Sequence, residues 1–250
     1  MQLQLIRNAT LRLTLAGKTL LYDPMLGSAG SLPSYAGVAA NPLVDPPLGP
    51  EEVLAGVEGV LVSHLHGDHF DEAARELLPR SLPVLAQPED APRLRAWGFE
   101  DVLALEDSAG WQGLEVTRLP ARHGSSPEVL ADMGPVAGYL LRAPGEPSLY
   151  LAGDTVWYPE LAAAVAPLAP DVVVTHSGGA VWGKNRELIL MDDAQTAAAC
   201  QALPNSFFVA VHLEALDHCT TSRTQLRQTL EDACPGRSAV PDDGEAIMIA

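Results

Sequence analysis

A chain of 250 residues, 47% of them hydrophobic, is long enough to bury a substantial core, which excludes a disordered tail or a fibre. Glycine and proline number 21 each, too few for low-complexity sequence but enough for many sharp turns and at least one long irregular loop. With 32 acidic against 15 basic residues the formal charge is -17, which sets nucleic acid and anionic membrane aside and leaves a small molecule as the expected partner.

The opening MQLQLIRNAT alternates apolar and polar residues and lacks the basic and apolar blocks of a signal peptide, so it reads as a strand. Leu3, Leu5, Leu11, Leu13 and Leu15 keep a period of two. Ala16-Gly17-Lys18 stands where a hairpin turn would send the chain back into a strand over 19–22. The stretch 24–50 is rich in glycine and proline and has no sustained periodicity, and a connection of that length inside a compact domain is usually functional. Beyond it the pattern predicts a strand over 59–62, a helix over 71–78 closed by Pro79, a strand over 84–86 and a helix over 88–97 stopped by Gly98. Strands are expected over 114–119, 137–142 and 148–152, with Pro144-Gly145 turning between the last two. Helices over 158–165, 192–203 and 221–233 then alternate with apolar strands over 171–174 and 207–211. No linker or repeat divides the chain. One domain over 1–250 is therefore expected, with two sheets face to face and helices outside.

The apolar stretch 161–174 is cut by Pro167, Pro170 and Asp171, so it does not read as a membrane span. Cys200, Cys219 and Cys234 are odd in number and lack CxxC spacing; they read as reduced thiols of a soluble cytoplasmic protein.

The chemistry is concentrated in the histidines. His64, His66, Asp68 and His69 fall in SHLHGDHF, directly after the predicted strand 59–62. In an extended segment His64 and His66 project to the same side and can reach one ion, while Gly67 permits the turn that carries Asp68 and His69 to a second. Imidazole with carboxylate suits zinc, and also manganese or iron. Three more donors stand at predicted strand ends: His123, Asp154 behind the turn-making Gly153, and His212. His176 ends another apolar strand and either faces substrate or makes a structural hydrogen bond. His218 is a candidate proton donor or phosphate contact, and Cys219 beside it a small buried hydrophobe. Tyr35 in the long loop, Trp157, Tyr158 and Trp182 either wall a pocket or pack elsewhere.

The order HLHGDH, His123, Asp154, His212 resembles the metallo-β-lactamase superfamily of binuclear hydrolases over essentially the whole chain. The segments LYDP, HLHGDHFD, LAGDTVWYPE and VHLEALDHC are most similar to the bacterial group that includes L-ascorbate-6-phosphate lactonase. The resemblance implies an α/β fold, an αββα four-layer sandwich, holding two divalent metal ions, zinc first, with manganese or iron also suited. It implies His64, His66 and His123 on one ion, Asp68, His69 and His212 on the other, and Asp154 bridging them. Asp23 resembles a position beneath the metals that orients a ligand. In similar sequences a histidine often stands where this chain has Asn8, and an Asn-Ala-Gly-like stretch where it has Thr175-His176-Ser177-Gly178-Gly179. The expected reaction is attack by a water bridging and deprotonated by the ions on a small polar or phosphorylated ester, lactone or phosphodiester. In that reaction Asp68 orients the water and His218 acts as acid. An iron-dependent redox enzyme of the same fold and a non-catalytic regulatory protein are the alternatives, and self-association is left open.

Overall fold

Leucines at every second position give the N-terminal strands one apolar face, and in the computed structural model, which describes residues 1–249, they form a meander of β1 (Gln2–Arg7), β2 (Thr10–Leu15) and β3 (Lys18–Tyr22). Ala16 and Gly17 turn β2 into β3 with positive φ, as the Ala-Gly pair predicted. After the irregular segment 24–49 come α1 (Pro50–Leu54), β4 (Gly59–Val62), α2 (Glu72–Leu77), β5 (Val84–Ala86), α3 (Ala91–Ala96) and β6 (Val102–Ala104). The helix expected over 88–97 is shorter at its start because residues 88–90 form a turn and Asp90 takes the cap position. Next are β7 (Ser108–Trp111), β8 (Leu114–Pro120), α4 (Pro127–Met133), β9 (Ala137–Arg142), β10 (Leu149–Leu151), α5 (Pro159–Val165) and β11 (Val172–His176). The chain closes with β12 (Val181–Trp182), β13 (Glu187–Leu188), α6 (Asp193–Ala202), β14 (Phe207–Val211), α7 (Arg223–Ala233), β15 (Ser238–Ala239) and β16 (Ala246–Met248).

The strands make two seven-stranded sheets, ordered β16-β1-β2-β3-β4-β5-β6 and β15-β14-β11-β10-β9-β8-β7, plus the small β12-β13 hairpin. Alternation along each strand decides what each face buries. Leu13, Leu20 and Leu61 of the first sheet meet Tyr139, Leu151 and Val174 of the second in one central core. The opposite face of the first sheet, with Val60 and Val84, packs on Ala74 of α2 and Leu94 of α3. On the second sheet, Val173 and Phe208 pack on Leu161 of α5 and Leu226 of α7. The result is the four-layer αββα arrangement. Strands β4 and β5 are buried throughout and pair in parallel, which a central strand covered on both sides requires.

The cysteine reading is corrected. Cys200 of α6 and Cys234, which caps α7, are both buried and joined as a disulfide, and Cys219 alone is free. The two are 34 residues apart, and only the packing of α6 on α7 brings them together, so their spacing carried no signal. No helix among the described residues is long and apolar enough to cross a membrane. The ends of β3, β4, β10, β11 and β14 open at one edge of the sandwich, where the residues following them converge.

Candidate metal centre

The construction starts beneath the cluster. Asp23 follows β3 with φ of 43°, which points its carboxylate at the end of β4. There Oδ1 accepts from the Ser63 amide at 2.7 Å and Oδ2 from the Ser63 hydroxyl at 2.6 Å, while Oδ2 also lies 2.8 Å from His69 Nδ1. The Ser63 hydroxyl is 2.9 Å from His64 Nδ1. His123 donates from Nδ1 to the Ile189 carbonyl at 2.6 Å. Each of these imidazoles thus has Nδ1 occupied by a supporting group and presents Nε2 inward, the arrangement that fixes tautomer and ring orientation in metal sites.

Two sets of donors result. The ligand atoms of His64, His66 and His123 lie within 4.8 Å of one another, and those of His69, Asp154, His176 and His212 form a second set with the same spread. His64 Nε2 is 2.9 Å from His66 Nδ1. Asp154 Oδ2 stands 3.5 Å from His123 Nε2 and 3.3 Å from His69 Nε2, so one carboxylate reaches both sets. Asp68 Oδ2 is 3.3 Å from His212 Nε2 and 3.4 Å from His69 Nε2. The structure therefore brings together all seven residues of the implied ligand set. His176 joins them from below: it is fully buried, and its Nδ1 is 2.6 Å from Asp154 Oδ1. Of the two readings for His176, the hydrogen bond is the one present, on Asp154, and His176 is not among the residues that line the cavity described below.

Backbone strain collects at the same edge. Gly153 has φ of 68°, and a β-carbon there would lie 2.7 Å from the Ala137 carbonyl oxygen, so only glycine lets the chain turn into Asp154. His212 and Asn8 are left-handed at 63° and 57°, a conformation costing about 1–3 kcal/mol for such residues. They hold each other: the His212 amide donates to the Asn8 carbonyl at 2.8 Å, and Asn8 Nδ2 donates to the Asp68 carbonyl at 3.1 Å. Asn8 thus ties the Asp68 turn to the end of β14. Cys219, expected as a packing residue, places Sγ 3.8 Å from His212 Nδ1 behind that imidazole.

The donor set fits a divalent cation. Asp68 and Asp154 are 6% and 2% exposed, and among the described residues their ion-pair partners are histidines and no lysine or arginine. Burial penalises both carboxyls, yet the surrounding histidines hold them well below the usual carboxylate range. Burial alone would lower His212, but Asp154 and Asp68 carry it up to about 10. In the other set burial dominates and takes His123 down to about 4, leaving neutral imidazole with a free lone pair. A bound cation would take over the charge balance that protons otherwise provide.

Above the donors lies a cavity of about 300 Å³, lined by Tyr35, Met133, Trp182, Ile189 and His218 over His66, Asp68, His123 and Asp154. Tyr35, Trp182 and His218 also border an outer vestibule of about 480 Å³ that contains Arg186. His218 is 7% exposed, its Nδ1 has no partner, and burial lowers its pKa. Trp157, a candidate wall, packs instead on the helical side of the second sheet, with its amide bonded to Gln195 at 2.8 Å; Tyr158 stacks under Arg122. The chain has already turned away from the cavity to start α5. Met133 was missed, although Ser126-Pro127-Glu128 carries the cap, proline and acidic signature of a helix start, and Ser126 does cap α4.

A family model described as the beta-lactamase superfamily domain matches residues 18–213. The chain belongs to the metallo-β-lactamase superfamily. It is 34% identical to the UPF0173 protein YddR of Bacillus subtilis over 98% of this chain and 99% of that one. A crystal structure of a possible metal-dependent hydrolase from Veillonella parvula superposes with a TM-score of 0.95 at 31% identity, covering 100% and 99% of the two chains. The isothiocyanate hydrolase from Delia radicum gut bacteria superposes at 0.92 with 32% identity and the same coverage.

Proposed function

We propose that the protein is a binuclear metal-dependent hydrolase of a small, uncharged electrophile bearing an apolar or aromatic group. The observation that carries this is Asp154, one carboxylate within reach of two separate sets of buried imidazoles on the floor of a cavity. His64, His66 and His123 would hold one ion, Asp68, His69 and His212 the other, and Asp154 both, with zinc the best match to the imidazole-rich set. Two ions in such a site supply Lewis acidity and a water made nucleophilic near neutral pH. Asp23, Ser63, Asn8 and His176 orient the ligands from beneath, and Asp68 can accept a hydrogen bond from the attacking water. His218, with burial favouring neutral imidazole, would face the leaving group.

The cavity lining supports one substrate class. Met133, Trp182, Ile189 and Tyr35 form the walls, Asp132 adds a carboxylate, and among the described residues no lysine or arginine lines the space. That lining favours a neutral molecule over the phosphorylated alternative that the resemblance left open, because away from the ions a phosphate would meet the Asp132 carboxylate and apolar walls, with only the Tyr35 hydroxyl and the histidines to receive it. An isothiocyanate suits the site: water adds to the central carbon of R–N=C=S, and the thiocarbamic acid so formed releases an amine and carbonyl sulfide. The likeness to the isothiocyanate hydrolase supports this choice.

A panel of phenyl isothiocyanate, lactones, thioesters, phosphodiesters and phosphorylated sugars, run with zinc and with manganese, tests the reading. The neutral aromatic substrates should exceed the phosphorylated ones by more than about tenfold in kcat/KM. Preference for a phosphate ester would overturn the substrate class, and no turnover with either metal would overturn the hydrolase.

A further inference from the structure

Tyr35 reaches from the segment 24–49 over the turn that follows β4. A β-carbon on Gly67 would lie 3.5 Å from its hydroxyl oxygen, so the phenol hangs above the backbone between His66 and Asp68, inside the cavity. Its ring meets His218 edge-on, with centroids 5.0 Å apart and planes at 82°. Burial, reinforced by the Asp68 charge, raises the phenol well above its ordinary value, which keeps it a protonated donor.

That position is imposed from 182 residues away in the chain. The Asp217 carboxylate accepts from the amides of Tyr35 at 3.0 Å and of Ala36, Val38 and Ala39 at 3.2 Å, from Asn41 Nδ2 at 3.0 Å, and from the Ser34 hydroxyl. Asn41 answers by accepting from the Asp217 amide at 2.8 Å. A concave run of amides closed on one carboxylate fixes a loop that has no secondary structure of its own. Asp217 also precedes His218 in the chain, so one residue sets the two groups that face each other across the cavity mouth.

We propose that Tyr35 is a catalytic residue whose hydroxyl donates a hydrogen bond to the substrate atom on which negative charge develops, and that Asp217 is the positioning residue that holds it there. The proposal rests on the hydrolase reading above. A preorganised donor aimed at developing charge lowers the barrier because it needs no reorganisation during reaction. The aspartate is required as a carboxylate: in Asp217→Asn the amide hydrogens would face amide donors.

Azide binding to the cobalt(II)-loaded protein, followed by the visible spectrum, tests this without turnover. Tyr35→Phe should bind the same amount of cobalt and raise the azide Kd about tenfold, the weight of one hydrogen bond to an anion. Asp217→Asn should weaken azide at least as much, leave cobalt content unchanged, and speed hydrogen exchange at the amides of Tyr35, Ala36, Val38 and Ala39. Ser34→Ala, which removes one donor to Asp217 and the hydroxyl that the Val38 amide also bonds at 3.0 Å, should give the same changes in smaller measure and serves if Asp217→Asn does not fold. Azide affinity of Tyr35→Phe within about twofold of wild type overturns the hydrogen bond. Wild-type affinity and exchange in both loop variants overturns the positioning role. A protein that takes up no cobalt overturns the metal-centre reading itself, and the proposal with it.

Discussion

Removing the charge of Asp154 while keeping its size separates the two functions its position combines. Its Oδ2 reaches both His123 and His69, so Asp154→Asn should weaken binding of one ion and lower kcat by several orders of magnitude with folding retained. Near wild-type turnover in that variant would remove the bridging assignment. His218→Gln gives the contrast: metal content should stay at the wild-type level while kcat falls by roughly the hundred- to ten-thousand-fold of a lost proton-transfer group. Loss of metal in His218→Gln would instead make it part of the donor set. At this scale the sequence was most legible where donors are contiguous or close a strand, as in SHLHGDHF and at His212. It was least legible where a side chain serves backbone. Asn8 bonds the Asp68 carbonyl, 60 residues on, and Asp217 collects amides from the 35–39 stretch; neither pairing leaves a mark in local residue types.

The segment 24–49 shows how a stretch without periodicity becomes an ordered element. Arg7, fully buried, ties its base by donating to the carbonyls of Met25 at 3.0 Å, Gly27 at 2.8 Å and Val44 at 2.8 Å, and Asp217 fixes its tip. Arg7→Met would leave those carbonyls without a donor and should cost about 3 kcal/mol, a fall in Tm of roughly 6–12 °C for a chain of this size. A Tm within about two degrees of wild type would show that the loop stands without the strap. The Asp217 carboxyl is held well below its ordinary 3.8 by the Ser34, Asn41 and amide hydrogen bonds, against a burial penalty that alone would raise it. A depressed folded-state pKa means that the latch contributes fully above the unfolded value and fails only as pH falls through the folded one. Protection of the loop amides, corrected for intrinsic exchange, should therefore be the same at about pH 7 and about pH 5. Loss of protection across that interval would contradict the latch. The paired helices α6 and α7 carry a third expectation: unreduced, denatured protein should show one reactive thiol, Cys219, and three would refute the Cys200–Cys234 bond. The strong strands were legible from their apolar runs, whereas β6, β7, β12 and β13 are short and, Trp111 apart, at most half-buried, so no periodic face announced them.

The whole molecule places chemistry at the edge of a rigid sandwich. Its two sheets bury leucine and valine between them, its helices seal the outer faces, and the turns leaving β3, β4, β10 and β14 deliver Asp23, His64, Asp154 and His212 to one place. The layer order followed from alternation and from fully apolar central strands. The substrate class did not, because the cavity wall is assembled from Tyr35, Met133 and Trp182, residues distant in sequence that the fold alone brings together. Chelation should lower Tm, since ions binding only the folded state stabilise it by mass action. Whether two ions share Asp154 is read by elemental analysis of protein loaded and then freed of excess metal. About two equivalents are expected for the wild type, with His66→Ala and His212→Ala each falling to about one; a single equivalent in the wild type, or full occupancy in both variants, would rule the shared carboxylate out.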